Sequence, residues 1–231
     1  MKFTIVLSLV ALLPFVAALP PHLDAATPKS PEALDAVLQE GVAGGEFESL
    51  LAGNTENELA GACKAVTLIY ARGTTEPGNV GGNTGQALFT ALRSRLGAAA
   101  IAVQGVNYSA TVAGYLQGGD PAGSTTMFNL INQAASKCPS TKIVIGGYSQ
   151  GAQLTHNAAA RLTAATTARI VAVFGFGDPF YGRAYGSIPA SKTLNICHTG
   201  DIICTGSGGS AEHSNYNQDA ARVTTFIAAR V

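Results

Sequence analysis

In the stretch Gly147-Tyr148-Ser149-Gln150-Gly151, a single serine sits between two glycines, where an apolar run ends and a helix-like pattern begins. A serine held there could serve as an acyl-transfer nucleophile, because the sharp strand-to-helix turn that exposes its hydroxyl leaves room only for small neighbours. Gly147 and Gly151 meet that need and Gly146 adds space. The helix that follows would point the positive end of its dipole at the serine. The plainer reading is a tight turn without chemistry, and the pentapeptide alone is a weak signal.

A serine nucleophile needs a base, and the chain has four histidines. His22 lies in an acidic leading segment. His156 falls two turns along the helix after Ser149, on a face directed away from the turn. His198 adjoins Cys197 at a strand end and has little room to swing. His213, in a Gly- and Ser-rich loop before the last helical pattern, is the expected base. For the carboxylate that orients it, Asp178 and Asp201 both follow strands. Asp201, in "CHTGDIIC", has the stronger claim, since a small disulfide loop would hold it rigidly. Asp178 is expected to bond backbone amides in its own turn. The order Ser149, Asp201, His213 is also that of α/β-hydrolase triads.

The developing negative charge needs donors. The backbone N–H of Gln150, next after the serine, is one. The second is expected from the loop "YARGTTEPGN" (70–79), where Thr74 offers an N–H and a hydroxyl. Otherwise, Arg72-Gly73-Thr74 is a simple turn whose arginine pairs with Glu76.

These groups require a scaffold. Short apolar or β-branched runs at 65–71, 100–108, 142–148, 170–177 and 192–198 alternate with segments at 83–96, 125–137 and 150–162, whose apolar residues recur every three or four positions. The C-terminal "HSNYNQDAARVTTFIAARV" is also expected to be helical. Strands that are uniformly apolar imply a sheet covered on both faces. The expected fold is a three-layer α/β sandwich around a mostly parallel sheet, with reactive groups in loops at the carboxyl ends of strands. No internal repeat, low-complexity tract or dinucleotide fingerprint occurs.

The ends and charges divide the 231 residues further. Residues 1–18 carry Lys2, an apolar run and Val16-x-Ala18, the pattern of a secretory signal peptide. The run is short of the roughly 20 residues that span a bilayer. Residues 19–60 hold eight acidic residues against one lysine, a net of −7, and read as an acidic pro-segment or N-terminal arm. From 61 onward, twelve Lys and Arg oppose six Asp and Glu, a net of +6. That excess could favour adhesion to anionic wall polymers. Residues 61–231 suffice for one domain with an ample core. All four cysteines lie there. Three pairings are possible; the short span from Cys197 to Cys204 favours that pair, leaving Cys63 with Cys138. The spacing does not favour the alternative of a zinc site. Asn107-Tyr108-Ser109 is a glycosylation sequon.

The stretches "LIYARGTTEPGNVG", "VIGGYSQGAQL" and "CHTGDIICTG", followed by His213, resemble the cutinases of fungi, in the carbohydrate esterase family that also contains acetylxylan esterases. The resemblance covers residues 61–231. It implies a lidless α/β-hydrolase that cleaves esters, with Ser149, Asp201 and His213 as triad, Thr74 and Gln150 at the oxyanion hole, and bridges Cys63–Cys138 and Cys197–Cys204. Cutin and short-to-medium acyl esters are the implied substrates, plant cuticle the natural polymer. No cofactor, metal, nucleic acid or membrane is implied, and a secreted monomer is expected.

Three departures bear on the substrate. Thr74 stands where the family often has serine. Gly208, Gly209 and Ser210 replace an aliphatic lip, and "YLQGGDPAGS" lacks an asparagine common on the opposite lip. Phe180 and Tyr181 are expected to restore some apolar surface. An acetylxylan esterase of the same fold is the nearest alternative, and a non-catalytic wall-binding protein is one of another class.

Overall fold

The computed structural model describes residues 53–231. The expected signal peptide and most of the acidic arm, residues 1–52, lie outside the described residues. Five strands, β1 (Val66–Ala71), β2 (Ile101–Gly105), β3 (Lys142–Tyr148), β4 (Ile170–Phe176) and β5 (Thr193–Ile196), form one sheet in the order β2-β1-β3-β4-β5. Every pairing is parallel. The helices are α1 (Thr84–Leu96), α2 (Val112–Leu116), α3 (Pro121–Lys137), α4 (Gln150–Ala159), α5 (Ala164–Arg169), α6 (Ile202–Thr205) and α7 (Ala220–Ala228).

The uniformly apolar strands bury both faces. On β1, Leu68 and Tyr70 face a cluster with Leu88, Phe89 and Leu92 of α1 and Val223 and Ile227 of α7. The alternate residues Ile69 and Ala71 face Met127 and Ile131 of α3 and Leu154 of α4. Each fully buried large apolar side chain contributes about 1.5–3 kcal/mol, so the two layers fix the central strands from both sides.

Element boundaries shift for local reasons. Helix α3 starts at Pro121 rather than near 125, because proline suits the first helical position and Asp120 accepts from Gly123 N at 2.6 Å as N-cap. The C-terminal segment does not run as one helix: two 3₁₀ turns, Ala211–His213 and Tyr216–Asp219, precede α7. Residues 54–60 of the acidic segment pack on the domain. Leu59 is buried, Asn57 pairs antiparallel with Gln104 at the β2 edge, and Glu56 meets Arg93 at 2.8 Å. Both disulfides are present: Cys63–Cys138 joins the approach to β1 to the end of α3, and Cys197–Cys204 joins the end of β5 to α6. With all four sulfurs so engaged, the zinc reading falls.

Candidate active site

Ser149 lies between β3 and α4 with φ 54° and ψ −119°, in a region that a side-chain-bearing residue seldom adopts. The turn needs its glycines. A Cβ on Gly147 would lie 2.3 Å from the Gly151 carbonyl carbon, and one on Gly151 would lie 2.0 Å from the Ala71 oxygen. Ser149 N donates to Phe176 O at 2.9 Å, tying the turn to the end of β4.

The three residues expected to act with one another are brought together. Ser149 Oγ is 3.0 Å from His213 Nε2, and His213 Nδ1 is 2.9 and 3.0 Å from the Asp201 carboxylate oxygens. All three are buried. Asp201 caps α6, accepting from Ile203 N at 2.8 Å, and α6 carries Cys204 of the short disulfide. Burial pushes the Asp201 carboxyl up, but the bond from His213, with those from Tyr216 and Ile203 N, holds it below its ordinary value. It therefore stays an anion facing the imidazole.

Two tyrosines complete this wall, and sequence reasoning missed both. Tyr216 Oη donates to Asp201 Oδ2 at 2.6 Å and accepts from His198 N at 3.0 Å. Tyr148 Oη donates to His213 O at 2.9 Å, and its ring lies against the imidazole with centroids 5.2 Å apart. Tyr148 is the variable residue before the serine, and Tyr216 follows His213 by three positions. Neither spacing signals a contact.

The loop after β1 meets the residue that follows Ser149. Gln150 contributes more than a backbone position: its Nε2 donates to Thr74 Oγ1 at 2.8 Å and to Thr111 O at 3.0 Å. Because Thr74 Oγ1 accepts that bond, its own proton is free to point at an oxyanion. Arg72 does not pair with the Glu76 carboxylate; its Nε donates to the Glu76 carbonyl at 2.6 Å and its Nη2 to Tyr108 O at 2.8 Å. The Glu76 carboxylate accepts instead from Gly73 N at 2.7 Å. Enclosure in this loop raises Glu76 to about 7, against the opposing pull of the Gly73 and Gly82 amides and of Arg72.

The other described histidines, His156 and His198, are engaged; His22 lies outside the described residues. His156 is not on an open helix face: it is buried, with Nε2 2.7 Å from Asp178 Oδ2 and its ring stacked on Tyr185 at 3.7 Å. Asp178 does bond a backbone amide of its turn, Phe180 N at 2.8 Å, and adds His156, Tyr185 and Asn195. Phe180 is buried against His156 rather than lining a rim, which leaves Tyr181 as the exposed aromatic of that turn. His198 Nε2 is 2.6 Å from Asp219 Oδ2, and its Nδ1 is 3.1 Å from Glu212 O. Of the expected lip, Gly208 and Gly209 are exposed, as are Thr205–Ser207 before them, whereas Ser210 is buried.

A parallel sheet with a strained serine at a strand-to-helix turn, backed by histidine and aspartate, is the architecture of an α/β-hydrolase. The chain belongs to the cutinase family: residues 62–231 match the family described as Cutinase. A cutinase of Blumeria hordei is 51% identical over 185 residues, which cover 79% of this chain and 78% of the relative. Among solved structures, the Trichoderma reesei cutinase in complex with a C11Y4 phosphonate inhibitor is 39% identical, with a TM-score of 0.71, covering 86% of this chain and 84% of the other. The catalytic core of an acetyl xylan esterase from the same organism shares the fold, at 22% identity and TM-score 0.60, over 74% of this chain and all of the other. The protein is a carboxylic ester hydrolase of the cutinase type.

Proposed function

We propose that this chain hydrolyses cutin and short-to-medium-chain acyl esters by a two-step serine mechanism. Ser149 Oγ attacks the ester carbonyl as His213 Nε2 takes its proton, and Asp201 stabilises the imidazolium. The N–H of Gln150 and the N–H and hydroxyl of Thr74 receive the oxyanion. The C–O bond to the alcohol then breaks, and that oxygen leaves with the proton from His213. Water, activated by the same histidine, attacks the acyl-enzyme and releases the acid and Ser149.

The observation that carries the reading is the unbroken line of contacts from Ser149 Oγ through both nitrogens of His213 to Asp201, each near 3.0 Å. In Ser149→Ala, release of p-nitrophenol from its butyrate ester should fall by about 10⁴-fold or more. Turnover near that of the wild type would refute the assignment.

We also read the protein as a secreted monomer acting on polymers such as plant cuticle. The apolar leader ending at Val16-x-Ala18 and two disulfides support export. Among the described residues, no helix is long and apolar enough to cross a membrane. The exposed, side-chain-poor lip at Gly208 and Gly209 favours one other reading, deacetylation of a polysaccharide such as xylan. A series of p-nitrophenyl esters from acetate to longer acyl chains separates the two, since activity confined to acetate would select the second.

A further inference from the structure

The loop that carries Thr74 has two limbs; the second buries Val80 in the core and sets Asn79 Nδ2 3.5 Å from Gly105 O, while the backbone of the first is hydrogen-bonded to the body of the domain. In that limb, Arg72 bonds Tyr108 O, Tyr108 Oη donates to Arg72 O at 2.6 Å, and Thr75 N donates to Ala110 O at 2.8 Å. The second limb, residues 77–81, rests on the end of the acidic segment. Asn79 N and Val80 N both donate to Asn54 O, at 2.9 and 3.2 Å. The buried Asn79 carboxamide pairs with a whole peptide unit: its Oδ1 accepts from Glu56 N at 2.9 Å and its Nδ2 donates to Glu56 O at 3.1 Å. Nδ2 also donates to Asn57 Oδ1 at 3.0 Å. The fit is close, since a Cβ on Gly78 would lie 1.9 Å from Asn54 O.

We propose that Asn79 is a positioning residue for acyl transfer, and that residues 54–57 are the foot on which the oxyanion loop stands. Between the limbs, the Glu76 carboxylate binds Gly73 N, the residue before Thr74. A second limb free to drift would carry Glu76 with it and so move the Thr74 donors. Without the foot, the buried amides of Asn79 and Val80 would lose their partner and the Asn79 carboxamide would keep only the 3.5 Å contact to Gly105 O, which favours a rearranged loop. The loss falls on the transition state alone, so it should appear in kcat and not in KM. The inference rests on the reading of Thr74 as an oxyanion donor. It also makes 54–57 part of the catalytic unit and places any removal of the acidic segment upstream of Asn54.

The same segment is clamped at its far end by Lys137, whose Nζ donates to the carbonyls of Leu59, Ala60 and Gly61 at 2.7–2.8 Å. That clamp supplies the control. In the full-length chain, assayed with p-nitrophenyl butyrate well below each variant's Tm, Asn79→Ala should lower kcat about tenfold with KM within twofold. Inactivation by an alkyl phosphonate should slow in parallel. Lys137→Ala should lower Tm and leave kcat unchanged. If Asn79→Ala does not fold, Asn57→Ala, which removes one partner of the carboxamide, should lower kcat about threefold. Unchanged kcat in the soluble Asn79 or Asn57 variant overturns the proposal, as does an equal loss of kcat in Lys137→Ala. Thr74→Val separates the two levels: if it keeps full turnover, the oxyanion reading fails and the foot with it, whereas a large loss there beside an unchanged Asn79→Ala sinks the foot alone.

Discussion

Two buried histidine–aspartate pairs lie on either side of β4, and their chemistry diverges at a single atom. His213 and Asp201 meet at 2.9 Å, His156 and Asp178 at 2.7 Å. In the first pair the remaining ring nitrogen faces a hydroxyl, Ser149 Oγ at 3.0 Å. In the second it faces the Ala184 carbonyl at 3.2 Å, an acceptor with no proton to give. A third pair, His198 with Asp219, is closed in the same manner by Glu212 O. A carboxylate behind a histidine is thus a structural motif, used three times among the described residues. Reactivity depends on what the other nitrogen is offered.

The largest expected effect tests that contrast directly. His213→Ala should reduce ester hydrolysis by about 10⁴-fold with little loss of stability relative to the deficit in rate. His156→Ala should do the reverse. Leaving Asp178 buried without its partner costs about 3–5 kcal/mol, a fall in Tm of order 10 °C for a domain of this size, while kcat measured well below Tm stays within about threefold. Thermal melts and initial rates on both variants decide the matter, and a His156 variant that lost turnover without losing Tm would erase the distinction.

A smaller effect sharpens it. Tyr216→Phe removes the 2.6 Å bond to Asp201, and a hydrogen bond to a charged group is worth about 1.5–3 kcal/mol. With less of its charge drawn off, Asp201 should attract the imidazolium more strongly, so the acid limb of the kcat/KM profile should move to higher pH and kcat should fall about tenfold. An unshifted limb would reduce Tyr216 to packing.

The smallest concerns the third pair. Burial lowers His198, but the bond and charge of Asp219, with the bonds to Glu212 O and Asn215, together outweigh it, and the group lies above its ordinary 6.5. A raised histidine adds stability that is fully present below 6.5 and is lost as pH rises through the folded value. Asp219→Asn should therefore lower Tm most below about pH 6, by the equivalent of about 1 kcal/mol or less for a partly exposed pair. The gap should narrow toward pH 8, and a gap that widened instead would contradict the assignment.

The sheet and the meeting of Ser149 with His213 and Asp201 could be read from the sequence for one reason: both depend on local constraints. Uniformly apolar strands require cover on two faces, and a serine at positive φ requires Gly147 and Gly151. What escaped notice depends on distant contacts. His156 has the spacing of an outward helix position, and only the turn at Asp178, folded back from β4, gives it a buried carboxylate. Tyr216 and the Gln150 side chain likewise act through partners 15 and 76 residues away. Phe180 looked like a rim residue because its turn is polar, yet the same turn directs it inward onto His156. The foot at 54–57 was hidden by composition: glutamates suggested a detachable arm, but Glu56 also pairs with Arg93 and offers its peptide unit to Asn79.

The two disulfides divide the labour of keeping this enzyme whole. Closing a ring of 75 residues removes about 4–5 kcal/mol of disorder from the unfolded chain, whereas a ring of 7 removes only about half as much. The long bridge is thus the larger thermodynamic brace, and the short one chiefly fixes where Asp201 stands. Under mild thiol the two losses need not coincide: opening the ring at 197–204 would disarm a molecule whose sheet is still intact, so inactivation, rather than unfolding, should be the first sign of reduction.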